Sequence, residues 1–181
     1  METIITISGG ARHGKDTTGD LIRRELVGMK KRVVVLAFAD YLKFIAGKYF
    51  GYKGDAHKDE PGQRELLQRL GSEVGRKYNE DVWVDVVKIF LDAFKDEFDV
   101  AIVTDARFSN ECNMLKGTYN VINLKVIRRN FDNQLGDKKY HVSETALNFF
   151  EFDHVIDSDN LDELEKKVGM FVKKFVEMDK I

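Results

Sequence analysis

Ser8-Gly9-Gly10-Ala11-Arg12-His13-Gly14-Lys15-Asp16-Thr17-Thr18 is the stretch on which the reading of this chain turns. It follows the apolar run Ile4-Ile5-Thr6-Ile7 and leads into a segment, 15–27, with helical spacing of its apolar residues. Gly9, Gly14 and Lys15 satisfy the pattern G-x-x-x-x-G-K at a strand–turn–helix junction. Such a turn lets successive backbone N–H groups converge on phosphate oxygens, and the positive end of the following helix dipole adds to them. The expectation is a nucleotide cradle for ATP built from Gly10, Ala11, Arg12, His13, Gly14, Lys15, Asp16, Thr17 and Thr18, with Lys15 reaching the β- and γ-phosphates. Asp16 stands where a Ser or Thr commonly binds Mg²⁺. A carboxylate can hold a hydrated Mg²⁺ directly or through water, and Thr17 and Thr18 offer hydroxyls next in sequence.

Working outward, short β-branched runs recur at 4–8, 33–39, 100–104, 121–127 and, more weakly, 154–157. Most are nearly continuous apolar runs, as in parallel strands covered on both faces. Helical patterns lie between them at 15–27, 41–50, 62–78, 82–97, 108–116, 143–150 and 161–178. Asn160 and Glu163 form a capping-box-like start to the last, whose Leu161, Leu164, Val168, Phe171 and Phe175 share one face. Gly117 reads as a stop for the segment before it. This alternation predicts an α/β fold of three layers, a five-stranded parallel sheet with helices on both faces. Ligands in such sheets bind beyond the carboxyl ends of the strands. The residues after each strand therefore matter most.

Composition narrows the class. The chain has 181 residues, one proline and no repeat or low-complexity stretch, which predicts a single domain over 1–181. Its formal charge of −2 gives no bulk field for nucleic acid or an anionic membrane, so an anionic ligand must be held by local clusters. One cysteine, Cys112, excludes an internal disulfide and fits a reducing compartment, and the four histidines show no zinc spacing. The first residues lack the basic and apolar regions of a secretion signal, and no run is long enough to span a bilayer. A cytoplasmic location is expected. An apolar helix face reads the same whether it covers the core or a second copy of the chain, so a homodimer stays open.

The loop variant Ala11-Arg12-His13-Gly14-Lys15-Asp16-Thr17 resembles that of the bacteriophage deoxynucleoside monophosphate kinases. Later segments do so in the same order: Phe38-Ala39-Asp40 with Leu42-Lys43, then the run from Leu66-Leu67-Gln68-Arg69-Leu70 through Gly75-Arg76, then Trp83-Val84, then Asp105-Ala106-Arg107-Phe108 with Asn110-Glu111. A fainter echo falls at His141-Val142-Ser143-Glu144. The resemblance implies a P-loop kinase fold related to adenylate kinase. It also implies Mg²⁺-dependent transfer of the ATP γ-phosphate to a deoxynucleoside 5′-monophosphate (dNMP). The acceptor region would then occupy about 40–97 and a lid about 128–145.

The residues can also be weighed one by one. Asp105 ends an apolar strand, where a carboxylate can hold Mg²⁺ or its water, or simply cap the next helix. Arg107 can grip an acceptor phosphate with its planar fork, or pair with Glu111 at i+4. Lys43 and Asp40 follow the second strand, with Lys43 a phosphate ligand and Asp40 an orienting group or a helix cap. Arg64 and Gln68 share a stripe with Gly71 and Gly75, against which either a nucleotide or another helix packs closely. Leu66, Leu67, Leu70 and Val74 read as that helix's core stripe. Arg76 either binds phosphate, as the resemblance implies, or pairs with Glu73 or Glu80. Trp83 either fills the core with Val87, Phe90 and Leu91 or stacks on the acceptor base. Arg128 and Arg129 follow the fourth strand, where lid arginines would offset charge on the transferring group, or where they simply open an exposed basic loop. Catalysis is thus expected from Lys15, Arg128 and Asp105, metal binding from Asp16 and Asp105, and acceptor binding from Asp40, Lys43, Arg64, Gln68, Arg76, Trp83 and Arg107. The rival expectations are a kinase for another phosphorylated acceptor, of phosphomevalonate or dephospho-coenzyme A type, and a nucleotide-dependent switch. The missing guanine-reading N-K-x-D motif weakens the last.

Overall fold

The structure is a computed structural model that describes residues 1, 3–57, 60–113, 116–131 and 142–178. Five strands, β1 (Thr3–Ser8), β2 (Val33–Leu36), β3 (Val100–Ala106), β4 (Asn120–Arg128) and β5 (His154–Ser158), form one parallel sheet in the order β2-β3-β1-β4-β5. The first strand lies at the centre, so the loop that leaves it emerges between the ends of β3 and β4. Every residue of β1 is buried, as a strand covered on both faces requires.

Alternate side chains of β1 enter two cores. Ile5 and Ile7 pack with α1 (Lys15–Gly28) and α7 (Leu161–Glu177) through Ile22, Leu26, Leu164, Val168 and Phe171. Ile4 packs on the other face with Leu42 of α2 (Ala39–Phe50) and with Trp83, Val87 and Leu91 of α4 (Val82–Ala93). Full burial of each isoleucine contributes about 1.5–3 kcal/mol, which makes this strand the anchor of both layers.

Several elements depart from their expected bounds for visible reasons. The second strand ends at Leu36 rather than continuing to 39. Asp105 takes the backbone N–H groups of Phe38 and Ala39, and Asp40 takes that of Ala37, so this segment turns into α2 instead. The expected helix 62–78 divides into α3 (Gln63–Gln68) and a π-helix, Arg69–Arg76. The wider π winding rotates the side chains: Gly71 is buried and Val74, expected in the core stripe, is 56% exposed. The expected helices 108–116 and 143–150 are shorter, as α5 (Ser109–Asn113) and α6 (Val142–Thr145). In α7, Asn160 caps by accepting Glu163 N–H at 3.0 Å, while the Glu163 carboxylate reaches back to Asp159 N–H at 2.8 Å. Leu161, expected on the buried face, is 54% exposed at the helix start. Among the described residues, no helix is long and apolar enough to cross a membrane.

Candidate active site

The turn after β1 combines two glycines at positive φ with one non-glycine residue in the left-handed region. Gly9 cannot carry a side chain, since a Cβ there would lie 2.4 Å from the Val126 carbonyl oxygen of β4. Gly14 caps α1 at φ 88°. Between them Arg12 holds φ 63°, a region that costs a non-glycine residue on the order of 1 kcal/mol. Lys15 folds back over the loop, its Nζ donating to the carbonyls of Gly9 at 3.0 Å and Gly10 at 2.9 Å. Thr18 is sealed from solvent, and its hydroxyl donates to the Gly14 carbonyl at 2.9 Å, so it braces the loop.

From this loop a cavity of about 270 Å³ extends across the sheet edge to α2, α3, the π-helix and α5. Eleven of the expected site residues line it: Ala11, Arg12, Lys15, Asp16, Lys43, Arg64, Gln68, Arg76, Trp83, Asp105 and Arg107. Gly10, His13, Gly14, Thr17, Thr18, Asp40 and Arg128 do not. Asp40 is exposed and serves the turn that starts α2. Arg128 ends β4 on the loop's other flank. Its backbone N–H donates to His13 Nδ1 at 3.2 Å, and its guanidinium lies 4.4 Å over the Phe131 ring. Most of the expected lid, 132–141, lies outside the described residues.

Among the described residues, six basic side chains and four carboxylates line the cavity. Asp105 accepts from Phe38 N–H at 2.7 Å and Ala39 N–H at 3.0 Å. Burial raises its pKa, against the pull of those amides and of Arg107 and Lys43. Lys43 donates to Asp55 at 2.8 Å, and Tyr52 donates its hydroxyl to the same carboxylate at 2.6 Å. Burial works against the Lys43 charge, yet Asp55 outweighs it and leaves that pKa above the ordinary value. Burial and Asp55 together raise the Tyr52 pKa as well.

The two glycines on the Gln68 stripe are approached by protein. A Cβ on Gly71 would meet Leu42 at 2.8 Å, and one on Gly75 would meet the Trp83 ring at 2.7 Å. Trp83 is 8% exposed and donates its indole N–H to the Gly71 carbonyl at 2.9 Å. Arg76 pairs with Glu111 rather than Glu73, lies 4.0 Å over the Phe108 ring and donates to the Glu80 carbonyl at 2.9 Å. Sequence reasoning missed Glu111 as a site residue, and also Phe38, Tyr52, Asp55, Ser72 and Phe108 on the lining. Glu111 and Phe108 lie within the 105–111 stretch that carries the family resemblance, but nothing in the sequence singles out Tyr52 or Asp55.

The sequence pattern of the deoxynucleotide monophosphate kinase family matches residues 52–168, more than half of the chain, across most of this cavity's walls. The chain belongs to that family. A stretch of 56 residues is 39% identical to the deoxynucleoside-5′-monophosphate kinase of Escherichia phage T5. That stretch is 30% of this chain and 22% of the phage protein, so the alignment spans well under two thirds of that relative. Among solved structures, shikimate kinase from Bacteroides thetaiotaomicron superposes with a TM-score of 0.53 at 15% identity, over 97% of this chain and 98% of that one. TT1252 from Thermus thermophilus gives 0.53 at 16% identity, over 96% and 97%. These likenesses establish the fold, a three-layer P-loop kinase architecture.

Proposed function

We propose that the chain transfers the γ-phosphoryl group of ATP to the 5′-phosphate of a deoxynucleoside monophosphate, giving the diphosphate and ADP. The observation that carries this reading is the continuity of the cavity. Lys15 and Arg12 of the phosphate loop share one lining with Lys43, Arg64, Arg76 and Arg107. Two anions can therefore meet between cationic walls.

Phosphoryl transfer asks the protein chiefly to align attacking and leaving oxygens and to offset charge spread over the transferring group. Loop amides and Lys15 would hold the ATP tail, with Lys15 exchanging its two carbonyl partners for phosphate oxygens. Arg76 and Arg107 would hold the acceptor phosphate, with Lys43 kept charged beside it by Asp55. Arg64, Gln68 and Ser72 offer polar contacts to the nucleoside, against an apolar wall of Phe38, Leu42 and Leu67. Arg128 would serve the transferring group from the β4 flank.

The donor set fits Mg²⁺. Magnesium bound with nucleotide phosphates needs only one or two carboxylates and keeps several waters, and Asp16 and Asp105 both line the cavity. Each Asp105 oxygen takes one amide and retains a lone pair. When bound, the ion would neutralise charge on the β- and γ-phosphate oxygens.

A coupled ADP assay tests the reading, with dGMP, dTMP, dCMP, dAMP and their ribose counterparts supplied in turn with ATP and Mg²⁺. Turnover that depends on a dNMP supports it. Dependence on some other phosphorylated acceptor, or turnover indifferent to any acceptor, removes it.

A further inference from the structure

The transfer chemistry above leaves one buried carboxylate of the cavity without a task. Glu111, on α5, is 4% exposed and joins groups from two walls. One oxygen accepts the backbone N–H groups of Arg107 at 2.6 Å and Phe108 at 3.0 Å. The other takes the guanidinium of Arg76 from the π-helix. Arg76 is thereby held on three sides, by Glu111, by the Phe108 ring at 4.0 Å and by the Glu80 carbonyl at 2.9 Å. Those two hydrogen-bonded partners leave the remaining N–H groups of its five-donor fork for an anion. A long flexible cation ordered before its ligand arrives binds without losing rotamer freedom at that moment.

The arrangement repeats a device seen six residues earlier. Asp105 grips two consecutive amides, of Phe38 and Ala39, and so fixes the segment after β2. Glu111 grips two consecutive amides of the turn after β3 and adds a cation from a third element. Together the two acids tie three walls of one cavity.

We infer that Glu111 is a positioning residue for the acceptor, which fixes Arg76 and the Arg107–Phe108 turn so that both guanidinium groups present their charge to an incoming 5′-phosphate. This rests on the phosphoryl-transfer reading. A purely structural ion pair would behave differently, since losing it would lower stability and disturb the two nucleotides alike. A positioning pair acts on one substrate.

The test is steady-state kinetics of Glu111→Gln, Arg76→Met and the double variant, with dGMP, dTMP, dCMP and dAMP each varied at saturating MgATP, and MgATP varied at saturating dNMP. Thermal melts serve as the folding control. Glutamine keeps an oxygen for the two amides and loses the charge, so the variant retains its means of folding. The expected result for Glu111→Gln is an acceptor KM raised about tenfold or more with the ATP KM within about twofold. In the Arg76→Met background the same change should add little, because Glu111 acts through that arginine. Equal rises in both KM values, no rise in the acceptor KM, or full additivity in the double variant overturns the inference while leaving the kinase reading intact. Absence of dNMP-dependent turnover in the unmodified chain overturns both. If Glu111→Gln fails to fold, Arg76→Met alone must still raise the acceptor KM selectively, and an unchanged value there overturns the inference.

Discussion

Trp83 donates its indole N–H to the carbonyl of Gly71 at 2.9 Å, and this bond locks the π-helix onto α4 beneath the cavity. The ring edge also fills the place where a Gly75 side chain would go, with a contact of 2.7 Å to an added Cβ. The Leu70 carbonyl would sit 3.0 Å from the same atom. A rigid ring and a backbone oxygen cannot yield as a leucine tip can. Gly75→Ala should therefore destabilise by about 1–3 kcal/mol, outweighing the gain in helix propensity. Gly71→Ala meets only the Leu42 methyl and should cost less. Urea unfolding of the two variants side by side checks the ranking.

Glu111 gives a pH dependence with a definite sign. Burial pushes its carboxyl up to about 7, against the pull of Arg76 and the Arg107 and Phe108 amides, while Asp105 pushes it further upward. An acid with a raised folded-state pKa stabilises the fold fully below its unfolded value and loses that contribution as pH rises through the folded value. Stability should therefore fall from about pH 5 to about pH 7 by on the order of 2 kcal/mol in the unmodified chain, and less in Glu111→Gln. The acceptor KM should move oppositely, improving as Glu111 ionises and completes its pair with Arg76. Denaturant midpoints and acceptor KM values across that range check both signs.

Asp16 and Asp105 line the same cavity but carry different structural duties. Asp16 is exposed in the first turn of α1, whereas Asp105 holds two backbone N–H groups, of Phe38 and Ala39, where α2 begins. Asp16→Asn should raise the Mg²⁺ concentration for half-maximal rate with an unchanged melting temperature. Asp105→Asn should raise it and also lower stability by about 1–3 kcal/mol, since a carboxamide has one acceptor oxygen for two amides. Removal of Mg²⁺ by chelation should abolish turnover in all three proteins and restore it on readdition. A Mg²⁺ titration of rate paired with thermal melts separates the two roles.

What the sequence revealed followed the range of the interaction. The expected phosphate loop is eleven consecutive residues, and its strand–turn–helix setting is written in the same stretch, so its place between β1 and α1 could be read directly. The parallel strands were equally visible as apolar runs, although where β2 stops depends on Asp105, far along the chain. The π-helix was hidden because its residues also satisfy an α-helical pattern. The wider winding is seen only in the folded backbone, which sets Gly71 and Gly75 against Leu42 and Trp83. Arg76 looked able to pair with its neighbours Glu73 or Glu80. Its carboxylate partner is instead Glu111, brought across by the turn after β3. Tyr52 and Asp55 meet Lys43 through a loop that has no periodicity to announce it.

Lys15 tests the loop chemistry by itself. Its Nζ is held by the Gly9 and Gly10 carbonyls, and those bonds are replaceable by water. Lys15→Ala should keep its melting temperature within a few degrees while the rate falls at least about a hundredfold. Calorimetric melts and initial rates on the same preparation check this.

The most direct measurement follows the transferred group. The purified chain is mixed with a dNMP and ATP labelled in its γ-phosphate, with Mg²⁺ present, and the products are separated after a single turnover. The account predicts the label in the β-phosphate of the deoxynucleoside diphosphate, with ADP formed in equal amount. Label released only as inorganic phosphate, or retained in ATP with every dNMP supplied, would contradict it.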